Sequence, residues 1–191
     1  MLDILRSQVA ADPTLVQRLR IEGVVFTNQL REAAATCGTA AYKTKQEFAW
    51  LRTIGEDLMR RNQALLMIAH LGEDNKHWVG LVIDAKEHTI HYGDALGSPI
   101  PAKLLEAYEW WILQHTPSPF KMKDLPVTKQ DDGSSCGILA DNSLDHFALP
   151  GAYPLMKPSQ VCSIGRMSTF ICVASHILER VSLTAHVVFH G

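Results

Sequence analysis

The sequence predicts an α+β domain, a central, mostly antiparallel sheet flanked by helices, and three observations predict it. The first 63 residues carry capping signals and apolar residues at helical spacing. From Ala64 to Tyr92 the pattern switches to short apolar runs joined by turns too short for a crossover. From Lys103 onward helical spacing returns. Helices around strands of this kind belong to the α+β class.

Taken in order, Asp12-Pro13 reads as an N-cap with Pro at the first helical position, followed by Leu15, Val16 and Leu19 on one face, and Gly23 closes that segment. Helical stretches are predicted at about Thr27 to Ala35 and at about Lys45 to Arg61. In the latter, Phe48, Leu51 and Leu58 supply the stripe and Gly55 weakens it. Ala64 to Ala69 is continuously apolar, as in a strand covered on both faces. Trp78 to Ile83 and Thr89 to Tyr92 follow as strands, making three neighbours in an antiparallel meander. Leu104, Leu105, Tyr108, Trp111 and Ile112 define a helix over about Lys103 to His115, stopped by Pro117 and Pro119. Leu125 to Thr128 reads as an edge strand, because Pro126 removes a ladder donor. Helices are predicted from Cys136 to Phe147 and from about Ser159 to Glu179, with a β-like tail at Ala185 to Phe189.

A chain of 191 residues falls within one domain at roughly 100–200 residues each. With 47% hydrophobic and 20% charged residues it has the material for a core, which excludes wholesale disorder. Lys+Arg 18 against Asp+Glu 20 gives a net charge of -2, so bulk charge does not recruit nucleic acid or anionic lipid. The first 15 residues lack a secretory pattern and no apolar run approaches the length of a spanning helix. Four scattered cysteines without a C-x-x-C pair suit a reducing compartment, so an intracellular location, nucleus or cytoplasm, is expected.

Four residues carry a candidate chemistry. His77 opens the second strand and Asp94 closes the third, so antiparallel pairing brings them to one sheet edge. An Asp there can hold the imidazole's tautomer and stabilise its cation. Cys136 opens a helix after Asp132-Gly-Ser-Ser135, where the helix dipole favours thiolate. Gln130, six residues before Cys136, can donate to an oxyanion. Plainer roles exist for each: a buried structural thiol for Cys136, a turn histidine for His77, a turn cap for Asp94, a surface amide for Gln130, core packing for Trp78. His88 and His91 lie three apart on a strand, pointing to opposite faces, so they do not form a metal pair. Cys37, Cys162 and Cys172 read as core thiols, and Tyr92 as structural.

His77-Trp78 leading a Leu-Val-Ile-Asp strand, Tyr-x-Asp-x-Leu at 92–96, and Gln130-x5-Cys136-Gly137 together resemble the ubiquitin-like-protein-specific proteases, the SUMO-deconjugating cysteine proteases. The resemblance covers about Leu65 to Phe147, and more loosely the final helix with Arg166 and Ile177. It implies a papain-like fold with His77 as general base, Asp94 orienting it, Gln130 at the oxyanion and Cys136 attacking. It implies no metal and no cofactor. The implied partner is a SUMO-like modifier ending in Gly-Gly, or its conjugates, and Trp78 matches the family's Trp that roofs the tunnel for that tail.

The chain departs from the family at Ser135, where Asp is usual, and at Ala95, where Ser is usual. The family's Trp-Leu motif ahead of the first helix has no counterpart, since Met1-Leu-Asp-Ile-Leu-Arg reads like mid-helix and Trp50 lies too far along. The expectation is therefore one protease domain over 1–191, truncated at its N-terminus, with a helical part at 1–63 and a sheet and catalytic part at 64–191. The alternative is a catalytically silent module that binds a ubiquitin-like partner or belongs to a mobile element.

Overall fold

A computed structural model describes residues 2–72, 76–160 and 174. In chain order these form α1 (Leu2–Ala11), α2 (Pro13–Arg18), β1 (Leu19–Glu22), α3 (Val24–Thr36), α4 (Thr39–Thr44), a 3-10 turn (Gln46–Phe48) and α5 (Ala49–Arg61). There follow β2 (Ala64–His70), β3 (Trp78–Asp84), β4 (Thr89–Gly93), α6 (Ala102–Leu113), β5 (Lys121–Asp124), α7 (Cys136–Ala148) and a helical turn, Pro158–Gln160. The expected helix beyond that turn, with Arg166 and Ile177, the tail at 185–189, and Cys162 and Cys172 lie outside the described residues.

The strands form one five-stranded sheet in the order β1-β2-β3-β4-β5. The expected meander is its centre: β2–β3 and β3–β4 pair antiparallel. The outer strands β1 and β5 pair parallel to β2 and β4, so the sheet is mixed. β1 falls in the stretch expected to be wholly helical: α2 ends at Arg18, and Leu19 and Ile21 are buried in alternation with half-buried neighbours. β5 lies at Lys121–Asp124 rather than Leu125–Thr128, and all four of its side chains are exposed.

Asp12 caps α2 as expected, its Oδ1 accepting the N–H groups of Thr14 at 2.8 Å and Leu15 at 3.4 Å. The sheet alternation feeds two apolar layers. Leu65, Met67, Val79, Leu81 and Ile83 face α3, α5 and α6 with Phe26, Leu30, Leu51 and Trp111. Leu66, Ile68 and Val82 face α1 and α7 with Leu5, Val9, Ala140 and Leu144. Burial of each Val, Leu, Ile, Met or Phe side chain among these contributes roughly 1.5–3 kcal/mol against its exposure. β2 is buried on both faces, as its unbroken apolar run requires.

Gly55 has a packing reason for its place inside α5. A Cβ there would stand 2.3 Å from His115 Nε2. His115 in turn meets the Tyr42 hydroxyl at 3.1 Å, and Trp111 Nε1 donates to that hydroxyl at 3.0 Å. Burial, then the Arg52 charge, lower the His115 pKa to about 4. On α7, burial and then the Asp145 charge raise Asp141 to about 7, and burial raises Asp145 to about 6. Among the described residues no helix is long and apolar enough to cross a membrane.

Candidate active site

The β2–β3 ladder runs past His70 and Trp78 to a further bond, in which Leu71 N–H donates to the His77 carbonyl at 2.9 Å. That bond pins His77 at the mouth of β3. The β3–β4 register sets Gly80 opposite Gly93, so the start of β3 and the end of β4 share one sheet edge. His77 Nε2 and Asp94 Oδ1 meet there at 2.6 Å, with side-chain exposures of only 6% and 2%. A carboxylate only accepts, so the Nε2 proton belongs between the two and the Nδ1 lone pair is left for another partner. Asp94 Oδ1 also accepts Leu96 N–H at 2.7 Å, and its carbonyl accepts Gly97 N–H at 2.9 Å. Asp94 therefore caps a turn and holds the imidazole at once.

Gln130 reaches this edge through its backbone, donating N–H to the Ala95 carbonyl at 2.7 Å. Its side-chain amide is turned onto the following loop, where Nε2 donates to the Asp132 carbonyl and, at 3.2 Å, to Asp132 Oδ1. Gln130 Oε1 is buried without a hydrogen-bond partner among the described residues. Asp132 organises the approach to α7: its Oδ1 accepts Ser134 N–H at 2.9 Å and Ser135 N–H at 2.8 Å, and Oδ2 accepts the Ser135 hydroxyl. Asp132-Gly-Ser-Ser135 reads in the sequence as a stretch of turn and capping residues, and Asp132 closes it as an Asx-type turn ahead of the helix.

Cys136 is the first residue of α7, a free thiol that is 8% exposed. The helix lies close on β3 because Gly80 leaves room: a Cβ there would stand 2.6 Å from Ser143 Oγ and 3.3 Å from the Ala140 carbonyl. One residue into the helix, a Cβ at Gly137 would stand 3.7 Å from the Trp78 ring. Trp78 follows His77 directly, so the start of α7 stands beside the edge that holds the His77–Asp94 pair. No hydrogen bond joins Cys136 Sγ to the imidazole among the described residues. Trp78 is half-buried, packing on the α1/α7 layer and against His70 with ring centroids 4.7 Å apart.

The remaining candidates are placed as follows. His88 stacks on Phe120 at 5.0 Å, while His91 Nε2 meets Thr89 Oγ1 at 2.9 Å. Burial, then Lys123, lower the His91 pKa. Cys37 is buried in the core among α3 and α5 residues, as read from the sequence.

The catalytic-domain model of the Ulp1 protease family matches residues 2–157. Among solved structures, the chain is similar to the C-terminal Ulp1 protease domain in complex with Smt3, the yeast ortholog of SUMO. The TM-score is 0.56 at 17% identity, covering 78% of this chain and 65% of that one. It is also similar to the SUMO protease Ulp1 with its catalytic cysteine oxidised to a sulfenic acid. There the TM-score is 0.64 at 17% identity, covering 92% and 74% respectively. The Chaetomium thermophilum Ulp1-like SUMO protease catalytic domain gives 0.53 at 19%, covering 84% and 62%. The chain thus spans about two thirds of the solved domains, and the likeness establishes a shared fold, the one the sequence resemblance implied. No curated protein sequence matches.

Proposed function

The chain belongs to the Ulp1 protease family, matched over its catalytic domain, and from that premise we propose that it is a cysteine peptidase cutting after the C-terminal Gly-Gly of a SUMO-like modifier. The observation that carries this reading is the 2.6 Å His77–Asp94 pair at the edge where α7 opens with Cys136. Asp94 orients the ring, leaving Nδ1 to take the Cys136 thiol proton, and the helix dipole favours the thiolate so formed. The thiolate attacks the terminal glycine carbonyl. The oxyanion is met by N–H groups at the start of α7 and by the Gln130 amide once it turns from Asp132. Collapse expels the amine, from a peptide or a lysine side chain, with a proton from His77. Water, activated by the same imidazole, then hydrolyses the thioester and restores the thiol.

Trp78, beside Gly137, is the wall for the narrow di-glycine tail. A thiol that must stay reduced fits an intracellular compartment, nucleus or cytoplasm. The chain needs no metal or cofactor for this chemistry.

The test is a SUMO-like modifier carrying a C-terminal electrophile, which is expected to label Cys136 covalently and to leave Cys136→Ala unlabelled. A folded chain that resists every ubiquitin-like modifier sinks the reading. The Gln130 amide engaged by Asp132 favours a second reading, a silent module that binds a modifier without cutting it. Affinity without turnover in the native chain, unchanged in Cys136→Ser, would select it.

A further inference from the structure

Tyr92 lies near the end of β4, and Asp94 follows two residues later, directly after that strand. Both are more than nine-tenths buried, at 9% and 8% exposure. Both line the same cleft of about 730 Å³, walled on its other side by Met122 to Val127.

Each of the two also has a polar atom with unfilled capacity. Asp94 Oδ1 is used twice, by His77 at 2.6 Å and by Leu96 N–H at 2.7 Å. Asp94 Oδ2 and the Tyr92 hydroxyl are both buried without a hydrogen-bond partner among the described residues. One is an acceptor carrying charge and the other is a donor. A buried carboxylate oxygen without a donor is costly, and so is a buried phenol without an acceptor. Pairing them relieves both costs. Burial, then the Asp94 charge, hold the Tyr92 phenol well above its ordinary pKa, so it stays a protonated donor at neutral pH.

We propose that Tyr92 is a positioning residue for the His77–Asp94 pair: its hydroxyl donates to Asp94 Oδ2 and fixes the carboxylate's rotation, which keeps Oδ1 aimed at the imidazole. Tyr92 touches no substrate in this role and acts only through Asp94. The assignment rests on the peptidase reading for its consequence in turnover, but its structural content stands apart from that reading.

Replacing the hydroxyl removes a donor that draws off part of the Asp94 charge. That charge then bears more fully on His77 and stabilises its imidazolium. Tyr92→Phe is therefore expected to raise the pKa of His77, read by nitrogen-15 NMR of the ring. It is also expected to lower kcat roughly 10-fold, about the worth of one hydrogen bond, with KM little changed.

An unmoved His77 titration in Tyr92→Phe overturns the proposal even if activity falls, because a pure packing defect produces that pattern. If Tyr92→Phe does not fold, 3-fluorotyrosine at position 92 keeps the ring and strengthens the donor. His77 should then titrate lower than in the native chain, and no shift again overturns the proposal. A native chain without turnover and without Cys136 labelling would defeat the peptidase reading alone, leaving the His77 titration to decide the role of Tyr92.

Discussion

His77 Nε2 and Asp94 Oδ1 meet at 2.6 Å although neither residue belongs to a strand: one precedes β3 and the other follows β4. The register of the two strands brings them together, and the Leu71–His77 backbone bond and the Asp94 turn hold them. Because a carboxylate accepts only, it enforces one imidazole tautomer; an amide in its place does not. Asp94→Asn should keep the fold and modifier affinity while lowering kcat by roughly 10²–10⁴. Single-turnover cleavage with a parallel affinity measurement checks this, and near-native kcat would refute it.

Asp132 should matter more than a surface loop residue. Its carboxylate accepts two backbone N–H groups ahead of α7 and one arm of the Gln130 amide. Loss of these loop hydrogen bonds to a charged acceptor costs about 1–3 kcal/mol. Asp132→Ala should lower the unfolding free energy by that amount, read from the urea midpoint and slope, whereas Lys129→Ala on the same loop should not. Equal unfolding free energies for the two variants would contradict the loop-ordering role of Asp132.

Two glycines should resist alanine for steric reasons. In α5, alanine gains about 1 kcal/mol of helix propensity over glycine. At Gly55 the new methyl meets His115 at 2.3 Å, and His115 is held by Tyr42. Overpacking of this kind costs about 1–3 kcal/mol, so Gly55→Ala should be net destabilising. Gly80→Ala should cost more, since it meets the Ala140 carbonyl as well as Ser143 and Leu125 and lifts α7 from β3. Thermal unfolding of both variants tests the order, and a stabilised Gly55→Ala would refute the packing argument.

Stability should depend on pH through buried groups outside the His77–Asp94 pair. Asp141, at about 7, and Asp145, at about 6, stand above the ordinary 3.8. The folded chain therefore keeps protons that the unfolded chain releases, and stability falls as pH rises through this range. His115 acts oppositely: at about 4 against 6.5, it makes stability rise with pH between those values. The two trends offset each other below 6.5, and above it Asp141 is the main group still titrating. The urea midpoint should fall between about pH 6.5 and pH 8, and Asp141→Asn should flatten that fall. A fall of the same size in Asp141→Asn would remove Asp141 as its source.

Much of the site's framework was legible because it follows from local rules. Continuous apolar runs announced β2 and β3, short turns dictated their antiparallel order, and Asp12-Pro13 announced α2. The juxtaposition of His77 and Asp94 followed from pairing alone. β1 was hidden because Leu15, Val16 and Leu19 fit a helix face that runs on toward Gly23, and a four-residue alternation is too short to outweigh it; parallel pairing with β2 decides it. β5 was misplaced because Lys121–Asp124 has no apolar alternation, whereas Leu125 to Thr128 has β-forming side chains. Backbone pairing with β4 selects the charged segment. The direction of the Gln130 amide was also unreadable, since it depends on where the Asp132 carbonyl lies after the chain has turned.

The exposed side chains of β5 have a further consequence. Lys121, Lys123 and Asp124 put charge along the outer strand of the sheet described here, and that strand is only four residues long. A short, charged border is a poor template for a strand donated by another molecule. The same four residues that escaped recognition as a strand thus guard the sheet against aggregation, because the lack of apolar alternation that hides them also makes them unattractive to a second chain.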